Sequence, residues 1–166
     1  MSDYSITIGT LITIQAIVAC GLNVIVGYAG QISLGHAAFF GIGAYSSALL
    51  TTSAGLSFWS ALPFVLLITG FIGLVLGLPS LRLKEDFLAI TTIGINFIVV
   101  SVFLYVPFFG GALGIGGIPR IILLGQRLRG APFFFLCLAF LGIVQVVSWL
   151  FTQSWSGLAC FALRED

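Results

Sequence analysis

The sequence predicts an all-α, polytopic transmembrane protein of about five spans, one of them interrupted near residues 27–36. Three observations carry that expectation. First, six basic and five acidic side chains make up 7% of the 166 residues, while hydrophobic residues make up 60%. A soluble domain carries about 25% charged residues, so this chain cannot cover itself with a water-facing surface. Second, the charges are clustered. Asp3, the group Arg82, Lys84, Glu85 and Asp86, the group Arg120, Arg127 and Arg129, and the end Arg164, Glu165 and Asp166 bound charge-free runs 4–81, 87–119 and 130–163. Third, runs such as "FVLLITGFIGLVLG" do not alternate as barrel strands do, and a bilayer-spanning helix needs roughly 20 apolar residues.

The spans follow in order as roughly 6–27, 34–53, 58–79, 87–106 and 131–152, in one domain over 1–166. The first is read as a retained span, because Met1–Ser5 offers only Asp3 and no basic leader. Trp59 and Pro63 suit the start of the third span, at the interface and in the first turns. "PSLRLKED" closes that span with a charged turn. "PFFGGALGIGGIPRIILLGQRLRG" is a long glycine-rich connection whose piece "RIILL" is too short to cross. Two tryptophans follow the fifth span. Counting basic residues on either side of the spans gives a tie, so the positive-inside rule does not orient the chain.

No Asp, Glu, Lys or Arg falls within an expected span. A charge at mid-membrane costs ~2.5–3.5 kcal/mol on insertion scales and is kept for function. Their absence argues against a carrier with its own ion coupling, apart from one that binds ions through backbone carbonyls. The remaining polar groups are neutral. Gln15, Ala19, Asn23 and Gly27 recur every fourth residue and share a helix face, suited either to helix packing or to a solute pathway. The pattern of Gly70, Gly73 and Gly77 is explained by packing alone, and Asn96 in the fourth span fits either role.

The stretch "GLNVIVGYAGQISLGHAAFFGIGAY" differs from the others. Gly27, Gly30, Gly35, Gly41 and Gly43 each weaken a helix by ~1 kcal/mol relative to alanine. Freed backbone groups cost several kcal/mol in lipid, so a break must be buried in protein or line a wet cavity. Gln31, Ser33 and His36 are the side chains able to satisfy such groups. A short connecting loop at the membrane surface is the other reading of these residues.

Enzyme chemistry lacks its parts. One histidine cannot build a His-based metal cluster, and Cys20, Cys137 and Cys160 have neither metal nor redox spacing. The only lysine, Lys84, sits in "RLKED", so there is no P-loop, and "GALGIGG" misses the G-x-G-x-x-G spacing. Ser33 with His36 has no acid to orient it. No catalytic residue, metal, cofactor or nucleic-acid partner is expected.

The same stretch, Gly21–Tyr45, closely resembles the signature of permease subunits from bacterial ABC importers for branched-chain amino acids, the M-type subunit in particular. The likeness continues at "LRLKEDFLAITTIGI" (Leu81–Ile95), similar to a "D-[YF]-[LF]-A-I-x-T-L-G" helix start. It continues at "GGALGIGGIP" (Gly110–Pro119), similar to "GGxxGIxGIP", and at "SGLACFALRED" (Ser156–Asp166), which resembles the entry to the ATPase-contacting loop. The chain departs from the family pattern at Phe97, Leu113, Leu158 and Phe161.

The resemblance implies a translocation-pathway subunit, not an enzyme, in the bacterial inner membrane among lipids. It implies a second permease subunit, ATP-binding subunits and a periplasmic substrate-binding protein as partners. Leucine, isoleucine and valine are the expected solutes. It implies pathway or helix-break roles for Asn23, Gly27, Gly30, Gln31, Ser33, His36 and Asn96. Gly110, Gly111, Gly116 and Gly117 would lie in a periplasmic loop, and Arg164, Glu165 and Asp166 would couple to the ATPase. The N-terminus and the Gly-rich loop would then be outside and the "RLKED" turn inside. Family members run well over a hundred residues further, so the chain is expected to be the N-terminal part of a permease and incomplete alone. A urea or amide permease is the near alternative. A channel-like or structural membrane protein without ATP coupling is the alternative of another class.

Overall fold

The computed structural model describes residues 3–31, 33–80, 85–123, 125–155, 157 and 160. Five α-helices account for most of them: α1 Asp3–Asn23, α2 His36–Thr52, α3 Phe58–Ser80, α4 Glu85–Tyr105 and α5 Ala131–Gln153. Among the described residues, four stretches are long and apolar enough to cross a membrane, Asp3–Tyr28, Phe58–Leu78, Phe87–Tyr105 and Ala131–Gln153. The expected second span forms α2, which starts at His36 and has 17 residues. At 1.5 Å per residue it rises roughly 25 Å, somewhat less than the ~30 Å hydrocarbon thickness.

The chain divides into two compact units, residues 1–32 with 128–166, and residues 33–127. In the first, α1 packs along α5. A Cβ on Gly9 would stand 3.0 Å from the Phe134 ring, so the glycine makes room for that ring. Close approach of this kind replaces the hydrophobic drive that lipid removes. Thr10 and Thr13 are buried in α1, and their hydroxyls donate to the carbonyls of Ile6 and Gly9, each at 2.8 Å. Satisfied by their own helix, these hydroxyls sit among apolar groups without penalty. Gly130 precedes α5 and Pro132 lies in its first turn, where no N–H partner is needed. Ser154 ends the helix, its N–H donating to Phe151 O at 3.0 Å.

In the second unit α2 packs against α3 and α4. Its most buried residues are small: Ala61 is 0% and Ala38 2% exposed. Tyr45 of α2 stacks on Phe103 of α4 with ring centroids 4.0 Å apart, and Phe109 meets both rings edge-on. The Ser57 hydroxyl accepts the Ser60 N–H at 3.3 Å, capping the start of α3. Leu66, Leu67 and Phe71 of α3 are exposed, an arrangement suited to a lipid solvent.

The glycine-rich connection is more ordered than its composition suggests. Two short 3-10 turns, Pro107–Phe109 and Gly111–Leu113, lead to an antiparallel hairpin of β1 Ile122–Leu123 and β2 Gln126–Arg127. The Trp59 indole N–H donates to Ile122 O at 3.0 Å, which ties the hairpin to the start of α3.

Candidate functional site

The interrupted stretch is not helical from Ala29 to Gly35 among its described residues, and the division between the two units falls within it. Its first half widens before it breaks. Val24–Tyr28 form a π turn, with Ala29 N–H donating to Val24 O and Gln31 N–H to Ile25 O, both at 3.3 Å. Single π turns in α-helices are frequent at functional sites. Gly30 follows with φ 67°, the left-handed conformation that commonly closes a helix. Within the turn, a Cβ on Gly27 would run into Asn23 Oδ1. The glycine therefore leaves the Asn23 amide lying along the helix, and that amide is exposed.

Asn23 does not stand alone in this unit. It borders an open groove of about 650 Å³ together with Ala19, Cys20, Tyr28, Gln145 and Ser148. The Cys20 thiol lies 3.5 Å from Gln145 Oε1 as a weak donor. Gln145 was missed in the sequence; the signal that could have found it is that it is the one amide within the apolar run "FLGIVQVVSW" of α5.

The second half of the break belongs to the other unit. Leu34 N–H donates to Thr92 Oγ1 of α4 at 3.1 Å, while the Thr92 hydroxyl donates to Ala89 O at 2.9 Å. A Cβ on Gly35 would stand 2.9 Å from Thr92 O, so only glycine lets the break lie this close to α4. This threonine takes up one backbone N–H that the break frees, that of Leu34. Gln31 is exposed and Ser33 half-buried. His36 opens α2 with Nδ1 buried and no partner among the described residues, as is Thr69 Oγ1 in α3. Asn96 is half-buried one turn beyond Thr92, on the same face of α4.

Gly110, Gly111 and Gly117 adopt positive φ in the connection, and Gly116 does not. At Gly110 (φ 81°) a Cβ would meet Gly114 O, so the turn requires glycine there. Leu113 beside it is 99% exposed. Arg120, Arg127 and Arg129 are exposed too. Arg164, Glu165, Asp166, Arg82 and Lys84 lie outside the described residues. Among the described residues, no three His, Cys, Asp or Glu side chains come together to hold a metal.

Residues 4–166 match the family described as branched-chain amino acid transport system / permease component. The chain belongs to this family. Two relatives are the high-affinity branched-chain amino acid transport system permease proteins LivM of Salmonella typhimurium and of Escherichia coli. Each is 43% identical over 126 residues, which are 75% of this chain and 30% of the relative. The chain thus spans about a third of the length of the curated relatives it matches. No solved structure matches it. The family is one of transport permeases, not enzymes. With its apolar helices, and because outer-membrane spans are barrels, this permease-family chain is a multi-pass inner-membrane protein.

Proposed function

We propose that residues 1–166 form the N-terminal part of the transmembrane domain of an ABC importer permease that carries leucine, isoleucine and valine. The observation that supports this best is the family match over residues 4–166, joined to a membrane segment that breaks beside neutral polar groups. Asn23, Gly27, Gly30, Gln31, Ser33, His36 and Asn96 serve the pathway in this reading, by touching solute or by shaping the break. Neutral dipoles suit a zwitterion, whose opposite charges need partners but no net counter-charge.

The energy comes from elsewhere. The chain has no P-loop sequence, and beyond Asp3 at the very start of the first, its described spans carry no Asp, Glu, Lys or Arg. ATP-binding subunits therefore drive transport, with Arg164, Glu165 and Asp166 at the coupling element. A second permease subunit completes the pathway. The loop with Gly110, Gly111, Gly116 and Gly117 faces a periplasmic substrate-binding protein. Affinity purification from membranes tests this reading. An ATP-binding subunit should co-purify with the chain, and labelled leucine should be taken up in preference to urea. A chain that purifies without an ATP-binding subunit and conducts solute in ATP-depleted vesicles would replace it with a channel.

A further inference from the structure

The groove between α1 and α5 has chemistry that helix packing does not explain. Its wall carries the Asn23 and Gln145 amides, the Ser148 and Tyr28 hydroxyls and the Trp149 indole, with Cys20 at its edge. Gln145 lies about 21 Å along α5 from Ala131, well inside a ~30 Å hydrocarbon layer. Both amides are exposed in the chain. An amide facing lipid without a partner costs several kcal/mol, so these side chains face something polar. The lining has donors, acceptors and no charge. The Gln145 oxygen is already turned toward the Cys20 thiol, 3.5 Å away.

We infer that this groove is a binding site for the zwitterionic head of the transported α-amino acid. The amide oxygens accept from its ammonium, and the amide N–H2 groups with the Ser148 hydroxyl donate to its carboxylate. The Trp149 ring, 58% exposed, offers a face that attracts the same ammonium. A solute with net charge would find no counter-charge there. The inference rests on the transport reading above and adds Gln145, Ser148 and Trp149 to it. At about 650 Å³ the groove has room for one amino acid and water.

Cys20 is a built-in reporter. Thiol reagents of the methanethiosulfonate type react with cysteines in water and hardly at all in lipid. In membranes holding the whole importer, with Cys137→Ala and Cys160→Ala, Cys20 should be modified, and leucine or isoleucine should slow the modification. Lysine, glutamate and urea should not. Gln145→Leu should leave Cys20 open to modification in the absence of solute, which shows that the groove is still formed. It should raise the leucine concentration for half-protection by about tenfold or more, as loss of a hydrogen bond to a charged group does. An unreactive Cys20 would mean a groove covered by lipid or another helix, and would overturn the site. So would a reactive Cys20 that leucine fails to protect, or protection unchanged by Gln145→Leu. ATP-dependent leucine uptake in the same vesicles separates the two levels. Uptake without protection overturns the groove alone, and absence of both overturns the transport reading with it.

Discussion

Replacing Thr92 with valine removes the one hydroxyl seen to hold the far side of the helix break. The shape of the side chain is nearly kept, and the 3.1 Å bond from Leu34 N–H is lost. Leu34 is exposed, so the loss is that of an ordinary hydrogen bond, about 0.5–1.5 kcal/mol. The Thr92–Ala89 bond is lost as well, but that carbonyl keeps its helical role, so its share is small. The cost falls on local opening of the break rather than on the whole fold. Hydrogen exchange of a peptide covering residues 33–36 should therefore speed up by roughly 2–13-fold in Thr92→Val. Thr92→Ser keeps a hydroxyl and should restore most of the protection. Gly35→Ala should speed exchange through another route, by pushing a Cβ to 2.9 Å from Thr92 O. Exchange in Thr92→Val equal to that of the unaltered protein would show that Thr92 does not hold the break, and the account of that site would fail.

Three further outcomes follow from the same geometry. Gly27→Ala adds a helix former, worth up to ~1 kcal/mol, so the thermal midpoint in detergent should not fall. Leucine uptake should drop several-fold, because the new Cβ displaces the Asn23 amide; unchanged uptake would detach Asn23 from the pathway. Asn23→Leu and His36→Leu should each lower uptake while membrane insertion, judged by carbonate extraction, stays intact; full uptake in both would leave them packing roles only. Finally, Lys84→Cys and Arg127→Cys, in a background without native cysteines, should react with an impermeant reagent from opposite sides, since the single crossing α4 separates them. Labelling from one side would break the assigned topology.

The helices were legible because lipid makes a simple demand. Each span must be apolar over its length and satisfy its own backbone, so composition and charge spacing mark its ends within a few residues. The interruption was legible for the same reason, since Gly27, Gly30 and Gly35 concentrate where continuity is weakest. What the break leans on was not. The Leu34–Thr92 bond joins positions 58 residues apart, and a threonine in "LAITTIG" looks like any helix threonine bonded to its own turn. The groove was half legible. Asn23 was visible from its four-residue spacing, while Gln145 shares no periodic pattern with it and joins it only when α1 and α5 pack. The hairpin at Ile122–Leu123 escaped notice because "ILLGQR" lacks an Asn-Gly or Asp-Gly turn, and its strands have two residues each. It is held from outside by Trp59.

The claim that this chain is the N-terminal part of an amino-acid importer's pathway is tested most directly by a chimaera. Residues 4–163 would replace the matching stretch of the Escherichia coli relative in cells lacking that relative. Labelled-leucine uptake is then measured with and without an active ATP-binding subunit. The account predicts uptake that depends on ATP hydrolysis and that excess isoleucine or valine suppresses. A chimaera that inserts and co-purifies with the ATP-binding subunit, yet takes up no more leucine than the empty control, would contradict it.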